Sequence, residues 1–335
     1  MPERAARRVR FSLSGSMGYD FEGLVEKCAL AEALGFEGFY ASDHLHGVAG
    51  APLQTPFLEP FSALAALAGR ARGLRLGVLV AGVTYRHPGM LAKLAAALDA
   101  ISGGRADLGI GAAWSREDHV AYGLAFPELR ERLERLEEAV ELIRGLWTHE
   151  RFSFSGRHYR LVAAPLAPRP VQARPPILLA GASPRLLRLA ARHAQQWLSV
   201  STPRFAARCV AAIRAHALAI GRDPAEIAFA QSSALLLSDS RDEVARALAA
   251  RSRTAAAAGP AGGVADTAQR RSALPDESPE ERARASLLAG NPEELRAQLE
   301  RYVEAGVTHF VLQTPPPLDA RALERFRREV MSAYL

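Results

Sequence analysis

The chain has 335 residues, of which 49% are hydrophobic and 23% are charged, so it has the composition of an ordinary globular protein with a large core. Its formal charge of +6 comes from arginines spread along glutamate-rich helical stretches, a pattern typical of solvated helix faces that argues against a nucleic-acid-binding stripe. The chain has two cysteines, no apolar stretch suited to a membrane span, and a basic start without the apolar core of a secretory signal. We therefore expect a cytoplasmic protein without disulfides.

Strand and helix patterns alternate along almost the whole chain. The predicted strands cover residues 9–13, 36–40, 74–80, 105–110, 177–180, 197–200, 227–236 and 308–313. The predicted helices cover residues 21–34, 60–72, 90–101, 128–147, 184–193, 203–220, 241–254 and 292–305. Eight strands alternating with helices predict an α/β fold, a closed (β/α)8 TIM barrel, as a single domain over residues 1–335. A doubly wound open sheet is the alternative, but the segment SLSGSMGYD after the first strand lacks its glycine-rich phosphate turn.

Three insertions extend the minimal barrel, after strands 2, 4 and 7. Residues 43–59 form a long loop, and residues 151–176 contain a predicted hairpin, RFSFSGRHYRL, followed by a proline-rich connection. Residues 255–286 are rich in alanine and glycine, then charged, with little periodicity. Long loops of this kind are usually functional or disordered, so the third insertion is either a flexible lid over the substrate or a surface excursion.

Two polar side chains come directly after the second predicted strand, in the segment SDHLH. In a barrel enzyme the site is formed by the loops that leave the carboxyl ends of the strands, so Asp43 and His44 are expected at the reacting centre. An imidazole is the side chain best suited to proton transfer near neutral pH, and His44 is therefore the predicted catalytic residue. His46 is expected to line the pocket or its rim.

The loop after the third strand, AGVTYRHP, combines a glycine with polar side chains. Gly82 permits a close approach of the backbone to a ligand, and Thr84 offers a hydroxyl group. Arg86 and His87 lie just before Pro88, which begins the next helix. They are predicted to have structural roles, since a cation here can pair with a carboxylate on the barrel rim.

Small residues dominate the loop after the fourth strand, GAAWSRED. Gly111, Ala112 and Ala113 let backbone amides approach a flat ring, and the indole of Trp114 either stacks on a ligand or packs in the core. Glu117 and Asp118 in this loop are expected to begin the next helix and not to act as acid or base.

A turn of small residues, AGASP, leads from the fifth strand directly into a helix. Such a turn presents backbone N–H groups and the positive end of the helix dipole, which together suit a phosphate. Ser183 is the expected N-cap, and Pro184 takes the first helical position.

In this order, the segments resemble the luciferase-like superfamily, specifically its deazaflavin-dependent branch, which uses coenzyme F-420. The resemblance rests on ASDHLH, LGVLVAGVTYRHPGMLAKLAAALDAISGGRADLGIGAAW, ERLEEAVELIRGLWTHERFSFSGRHY, PPILLAGASPRLLRLAARHA and AGNPEELRAQLERYVEAGVTHFVL. It runs from residue 10 to about residue 199 and resumes over residues 290–313. These motifs are specific to the superfamily and not to the substrates of its members.

The resemblance implies a non-covalent cofactor lying across the barrel mouth. Asp43 would contact the ring region, and His44 would donate or stabilise a proton near the hydride centre. A non-prolyl cis peptide, which supports the ring face in relatives, would fall at Gly82–Val83. The remaining implied contacts are Thr84, Gly111, Ala112 and Ala113 along the cofactor, Ala180, Gly181, Ala182 and Ser183 at its phosphate, and Ser14, His46 and Trp114 in the substrate pocket.

Several positions depart from the pattern of the relatives. Relatives often have two glycines at residues 180–181 and a glycine at Ala113, so the methyl groups here should narrow the phosphate turn and the ring pocket. The segment QQW at residues 195–197 replaces an acidic–aromatic ending of strand six. Trp114 replaces the glutamate that is the second acid/base group of the sugar-phosphate branch, which argues against a sugar-phosphate dehydrogenase of that type.

The sequence therefore predicts an oxidoreductase that transfers a hydride between coenzyme F-420 and a small organic substrate. Arg185 and Arg188, beyond the phosphate turn, would suit the long acidic tail of that cofactor. The alternative is an FMN-dependent monooxygenase that takes reduced flavin from a partner reductase. A non-catalytic binding protein fits less well because Asp43, His44 and Thr84 are all present, and a metal-dependent hydrolase fits less well because the histidines are scattered. By analogy with relatives, we expect a homodimer that binds no metal.

Overall fold

The computed structural model describes residues 8–15, 18–47, 52, 54–257, 274 and 276–335. Most strands in this part of the chain are almost completely buried, as expected of parallel sheet covered by helices. The strands are β1 (Arg10–Ser14), β2 (Gly38–Ala41), β3 (Arg75–Gly82), β4 (Ala106–Gly111), β5 (Arg151–Ser155), β6 (Arg160–Pro165), β7 (Ile177–Ala180), β8 (Gln196–Ser199), β9 (Ala228–Leu237), β10 (Leu287–Gly290) and β11 (His309–Gln313).

Eight of these strands form a closed barrel in the order β1-β2-β3-β4-β7-β8-β9-β11, and all neighbours are parallel. The ring closes between β1 and β11, whose register runs from Arg10 opposite His309 to Ser14 opposite Gln313. The predicted (β/α)8 barrel is confirmed. Because all eight strands run in one direction, the loops that leave their carboxyl ends meet at one mouth of the barrel.

Helices surround the barrel and begin at residues that the sequence marks clearly. They are α1 (Phe21–Ala33), α2 (Pro60–Ala68), α3 (Pro88–Ser102), α4 (Arg116–Ala121), α5 (Leu129–Thr148), α6 (Pro184–His193), α7 (Pro203–Ala219), α8 (Arg241–Ala257), α9 (Pro279–Ser286), α10 (Pro292–Glu304) and α11 (Ala320–Glu329), with 3₁₀ turns at Pro224–Glu226 and Met331–Tyr334. Ser183, Thr202 and Asn291 each accept a hydrogen bond from the backbone N–H three residues on, and a proline follows each cap. Gly35 follows α1 with a φ of 76°, as predicted for a residue that ends a helix.

The insertions follow the prediction only in part. β5 and β6 form the antiparallel hairpin expected after the fourth barrel strand. The irregular segment expected over residues 255–286 is wrong at both ends, because α8 continues to Ala257 and α9 covers Pro279–Ser286. A capping box between Ser278 and Glu281 begins α9, a local signal that the low periodicity of the segment concealed. Residues 258–273 and 275 lie outside the described residues, so the lid remains a prediction.

β10 is a ninth strand that the sequence analysis did not predict. It pairs in parallel with residues 234–237, the far end of β9, while the near end of β9 pairs with β11. Its four residues, LLAG, are too few to show the length that distinguishes a buried strand from a buried turn of helix. β10 lies between α9 and α10 in the chain and contacts both helices.

Polar side chains inside the barrel bond to one another. Tyr40 donates to Asp107 at 2.8 Å, and Arg75 forms an ion pair with the same carboxylate. Ser12 and the imidazole of His309 are 2.8 Å apart. Buried polar groups need such partners, and here they belong to the first and middle residues of the strands. The mouth at the carboxyl ends is therefore left as the place for a ligand.

Both cysteines are buried free thiols, as the sequence predicts. Burial raises the pKa of Cys28 and of Cys209 to about 12, so neither is a reactive thiolate. Among the described helices, none has both the length and the hydropathy needed to cross a bilayer.

Candidate active site

A cavity of about 420 Å³ opens at the barrel mouth, which is within the range of about 300–1,000 Å³ typical of ligand pockets. Its wall is built from residues at or just after the carboxyl ends of β2, β3, β4, β7, β8 and β11, from the middle of β9, and from α5, α6, α8 and α9. The cavity therefore occupies the place at which barrel enzymes bind their substrates.

Most residues predicted for the site lie together in this wall. The structure places eleven of them there: Asp43, His44, Gly82, Gly111, Ala112, Ala113, Trp114, Ala180, Gly181, Ala182 and Ser183. They come from four loops that are separated by up to 140 positions in the sequence, and the closed barrel is what brings them to one cavity.

Four predicted residues do not line the cavity. The carbonyl of Ser14 accepts a hydrogen bond from the buried Lys27, and Val83 is buried in the core. The hydroxyl of Thr84 is 2.7 Å from Nε2 of His119. His46 lies behind the wall and bonds through Nδ1 to the carbonyl of its neighbour Gly47 at 2.8 Å.

His44 is held in the wall by a carboxylate and two aromatic rings. Its Nδ1 atom lies 2.7 Å from Oδ2 of Asp118. The rings of Trp114 and Phe57 are nearly perpendicular to the imidazole, with ring centroids 5.0 and 6.0 Å away. A carboxylate can only accept a hydrogen bond, so Nδ1 carries the proton and Nε2 is left to exchange one with a bound molecule.

Asp118 is completely buried in the first turn of α4. Its carboxylate also accepts from the hydroxyl of Tyr85 at 2.8 Å, and Nε2 of His46 is 3.3 Å away. Burial works to raise the pKa of this carboxyl, but hydrogen bonds from His44 and Tyr85 outweigh burial and hold the pKa at about 2. Asp118 therefore stays ionised and can stabilise positive charge on His44.

The sequence correctly placed Asp118 in the first turn of a helix but missed its contact with His44. The two residues are 74 positions apart, and only the folded chain brings them together. Asp118 follows β4 and His44 follows β2, so both lie beyond the carboxyl ends of barrel strands. That shared position is the signal by which the sequence could have paired them.

Asp43 joins the ends of two neighbouring strands. Its buried carboxylate accepts from the backbone N–H of Gly82 at 3.0 Å and from Arg86 at 2.8 Å. Arg86 also contacts Glu59 at 2.8 Å. The imidazole of His87 accepts from the N–H of Gly89 at 3.1 Å and caps α3. The structural roles predicted for Arg86 and His87 are thus confirmed, and Asp43 reaches the cavity as part of the same rigid connection.

Small residues form the wall after β4. A Cβ atom added to Gly111 would lie 2.9 Å from a methyl group of Val80, so the wall has no room for a larger side chain. Ala113 has a φ of 56°, in the left-handed region that favours glycine. Arg132, buried on α5, donates to the carbonyls of Ala112 and Ala113 and fixes this loop. The burial of Arg132 was not predicted, because the arginines of this helix have the spacing of a solvated face.

The predicted position of the cis peptide is wrong. The non-prolyl cis peptide is at Leu79–Val80, inside β3, and not at Gly82–Val83. The pairing of β3 with β4 shifts its register between Val78 and Ala81, so the strand is irregular at the level of the cavity. Both Leu79 and Val80 line the cavity.

The turn between β7 and α6 has the features of an anion site. The hydroxyl of Ser183 caps the helix by accepting from the N–H of Leu186 at 3.3 Å, and Gly181 has a φ of 126°. The amide of Ala182, which lines the cavity, has no hydrogen-bond partner among the residues that the structure describes. Arg185 is not free for an acidic tail, because it pairs with Glu137 at 2.6 Å.

The described residues contain no group of three or more side chains that could hold a metal ion. A cavity of ligand size at the mouth of a closed parallel barrel, with an imidazole–carboxylate pair in its wall, defines an enzyme of the TIM-barrel class.

A family model of luciferase-like monooxygenases matches residues 8–309, and the chain belongs to this family of oxidoreductases. The chain is similar to the F-420-dependent glucose-6-phosphate dehydrogenase of Kineococcus radiotolerans, at 30% identity over 325 residues, covering 92% of this chain and 91% of that protein. Its fold is similar to that of the coenzyme F-420-dependent tetrahydromethanopterin reductase of Methanopyrus kandleri, with a TM-score of 0.80, 21% identity and coverage of 98% and 100%. It is also similar to a monooxygenase of Streptomyces bottropensis, with a TM-score of 0.76, 26% identity and coverage of 97% and 100%.

Proposed function

We propose that this oxidoreductase transfers a hydride between coenzyme F-420 and the carbon of a small organic alcohol or carbonyl compound. The observation that carries the proposal is the His44–Asp118 pair in the cavity wall, at 2.7 Å. Removing a hydride from an alcohol also requires removal of the hydroxyl proton, and an imidazole held by an ionised carboxylate is suited to accept it. The F-420-dependent dehydrogenase relative, at 30% identity, supports this cofactor and this reaction type.

The residues around the cavity fit a flat ring with a phosphate. Gly111 and its neighbours provide a wall without side chains beyond Cβ, and a methyl group at Gly111 would collide with Val80. The amide of Ala182 and the start of α6 offer donors and a positive dipole end to an anion. When bound, a deazaflavin accepts or returns a hydride at its central ring and leaves binding, orientation and proton transfer to the protein.

The proton transfer that we propose involves two residues. Nε2 of His44 accepts the proton of the substrate hydroxyl as the hydride leaves the adjacent carbon, so the alcohol becomes a carbonyl. Asp118 remains ionised and stabilises the resulting imidazolium through Nδ1. In the reverse direction, the same imidazolium returns the proton to the carbonyl oxygen.

Trp114 bears on the substrate class. Its indole is nearly perpendicular to the ring of His44, and it stands at the position where the resemblance implies a glutamate in sugar-phosphate dehydrogenases. Without that acid/base group, we do not propose a sugar-phosphate dehydrogenase of that type, although the dehydrogenase relative bears that name.

An FMN-dependent monooxygenase is the second candidate, favoured by the similarity to the monooxygenase of Streptomyces bottropensis. His44 would then act on the substrate, and a partner reductase would supply reduced flavin. A homodimer remains a proposal in either case.

Titration of the purified protein with F-420 and with FMN, followed by fluorescence quenching, tests the cofactor. We expect tight binding of F-420 and weakening by about tenfold or more in Gly181→Ala, because the added Cβ meets Leu186 at 3.1 Å and strains a φ of 126°. Gly69→Ala is the matched control, since a Cβ there meets nothing within 4 Å. Tight binding of FMN alone would favour the second candidate, and binding of neither would contradict both.

A further inference from the structure

Apart from His44, three charged side chains line the cavity, and they are Asp43, Arg132 and Arg251. They differ in whether another residue neutralises or binds them. Asp43 is neutralised by Arg86 at 2.8 Å, and Arg132 donates to two backbone carbonyls. Arg251 forms no hydrogen bond or ion pair with any residue in the described part of the chain. Among the described residues, the cavity thus contains one cation without a protein anion.

Arg251 belongs to α8, the helix that follows β9, and it is exposed at the cavity wall. Burial of part of the side chain lowers its pKa, and no nearby carboxylate acts in the opposite direction. A guanidinium that lines a cavity without a neighbouring carboxylate favours a ligand that brings a negative charge.

Hydroxyl groups line the same cavity as Arg251. Ser232, on β9, and Ser286, at the end of α9, both line the cavity. The hydroxyl oxygen of Ser232 accepts a hydrogen bond from Gln313 at 3.1 Å, which leaves its own O–H free to donate. A guanidinium and a hydroxyl donor on one wall form a pair of donors for a carboxylate or a phosphate.

The position of this wall separates it from the proposed cofactor site. In the order of strands around the barrel, β9 is opposite β3, and His44 follows β2. The phosphate turn follows β7, two strands before β9. β9 is thus three strands from β2, which positions the imidazole, and two strands from β7, which positions the turn that suits the cofactor phosphate.

We propose that Arg251 binds an anionic group of the substrate, a carboxylate or a phosphate, while the reacting hydroxyl lies at His44. The substrate class is then that of hydroxy acids or phosphorylated alcohols, and their carbonyl products. The planar guanidinium matches either anion with two parallel hydrogen bonds, which a lysine does not reproduce. This inference rests on the proposed dehydrogenase function and adds to it the charge of the substrate.

The test compares two pairs of small alcohols, each with one anionic and one neutral member. The probes are 2-hydroxybutyrate and 2-butanol, in which a carboxylate replaces a methyl group, with glycerol 3-phosphate and glycerol as the phosphate pair. Calorimetry on the F-420-loaded protein measures the Kd of each. We expect wild type to bind an anionic member at least tenfold more tightly than its neutral partner, and Arg251→Met to lose this preference while Arg251→Lys retains only part of it. The pair that shows the preference identifies carboxylate or phosphate.

Arg253→Met is the matched control, because Arg253 is exposed on the same helix and does not line the cavity. It should keep the preference, and the Kd for F-420 should be unchanged in all variants. Equal binding of charged and neutral probes by wild type, or a preference that survives in Arg251→Met, would overturn the inference. Weaker binding of F-420 by Arg251→Met would also overturn it, by placing Arg251 in the cofactor site. Failure of wild type to bind F-420 at all would contradict the proposed function itself.

Discussion

Nδ1 of His44 lies 2.7 Å from Oδ2 of Asp118, and that carboxylate is completely buried. The hydrogen bond fixes the tautomer of the imidazole and orients Nε2 for exchange of a proton. The same carboxylate accepts from Tyr85, so the pair is held from two sides by β3 and α4. The first prediction follows from this arrangement.

Asp118→Asn should reduce kcat by about 10²-fold or more, since a positioned acid–base group typically contributes about 10²–10⁴-fold. The asparagine keeps the size of the side chain but no longer compensates a positive imidazole. Substrate KM and the Kd for F-420 should change by less than about threefold. Steady-state kinetics with a cofactor titration separates these quantities. Tyr85→Phe, which removes a donor to the same carboxylate, should have a smaller effect on kcat, and a loss of kcat no larger in Asp118→Asn than in Tyr85→Phe argues against the role given to Asp118.

Arg86→Met should destabilise the fold by about 3–5 kcal/mol, because it leaves the carboxylate of Asp43 buried without its cation. The Asp43 side chain is 0% exposed and that of Arg86 is 16% exposed. The neighbouring Glu59 is 42% exposed, so Glu59→Gln should cost no more than about 1 kcal/mol. Urea unfolding of both variants measures the difference. Equal costs would mean that Asp43 finds another partner.

Ala113→Gly should stabilise the protein by about 0.5–1 kcal/mol. The left-handed conformation at a φ of 56° costs an alanine about 1–2 kcal/mol, and glycine loses only part of that gain through its greater freedom in the unfolded chain. Thermal and urea unfolding both report the change. Ala112→Gly is the control, since Ala112 does not have a positive φ. The same exchange there should lower the stability of the protein.

Lys27 gives a prediction about pH. Its buried ammonium donates to the carbonyls of Ser14, Gly15 and Thr314 at 2.8–3.0 Å, and burial lowers its pKa to about 7. Unfolded, the amine has a pKa of about 10.4. Between these values the unfolded chain binds more protons than the folded chain, so this group makes stability rise with pH from about 7 to about 10.

Lys27→Met should lack that rise and should also lose stability at pH 7, because three buried carbonyls lose their donor. Urea unfolding at pH 7 and pH 9.5 provides the comparison, with the exposed Lys93→Met as control. The same pH dependence in Lys27→Met and wild type would assign the rise to other groups.

The sequence sufficed for features that depend on local pattern. The alternation of strands and helices predicted the barrel, and Ser183 before Pro184 predicted the start of α6. Eleven of the predicted site residues share one cavity because each lies at or just after the carboxyl end of a strand. These ends meet at one mouth of the barrel.

Features that depend on contacts between distant segments were not predictable in this way. An acidic residue such as Asp118 is typical of the first turn of a helix, and this much the sequence predicted. Its contact with His44 forms only where α4 meets the loop after β2. Arg132 lies four positions before the buried Leu136 and therefore on the same face of α5, but its charge suggested a solvated position. Arg251 lies in a helix whose approach to the cavity depends on the path of β9.

Reduction of F-420 under anaerobic conditions tests the central claim most directly. The protein is incubated without oxygen with F-420 and a panel of secondary alcohols and hydroxy acids, and the absorbance of the oxidised deazaflavin is followed. We predict that at least one alcohol causes the wild-type protein to bleach F-420. In His44→Ala the rate of bleaching should fall by about 10²-fold or more, while the variant still binds F-420. Absence of bleaching with every alcohol, together with oxygen-dependent product formation from reduced FMN, would contradict the account.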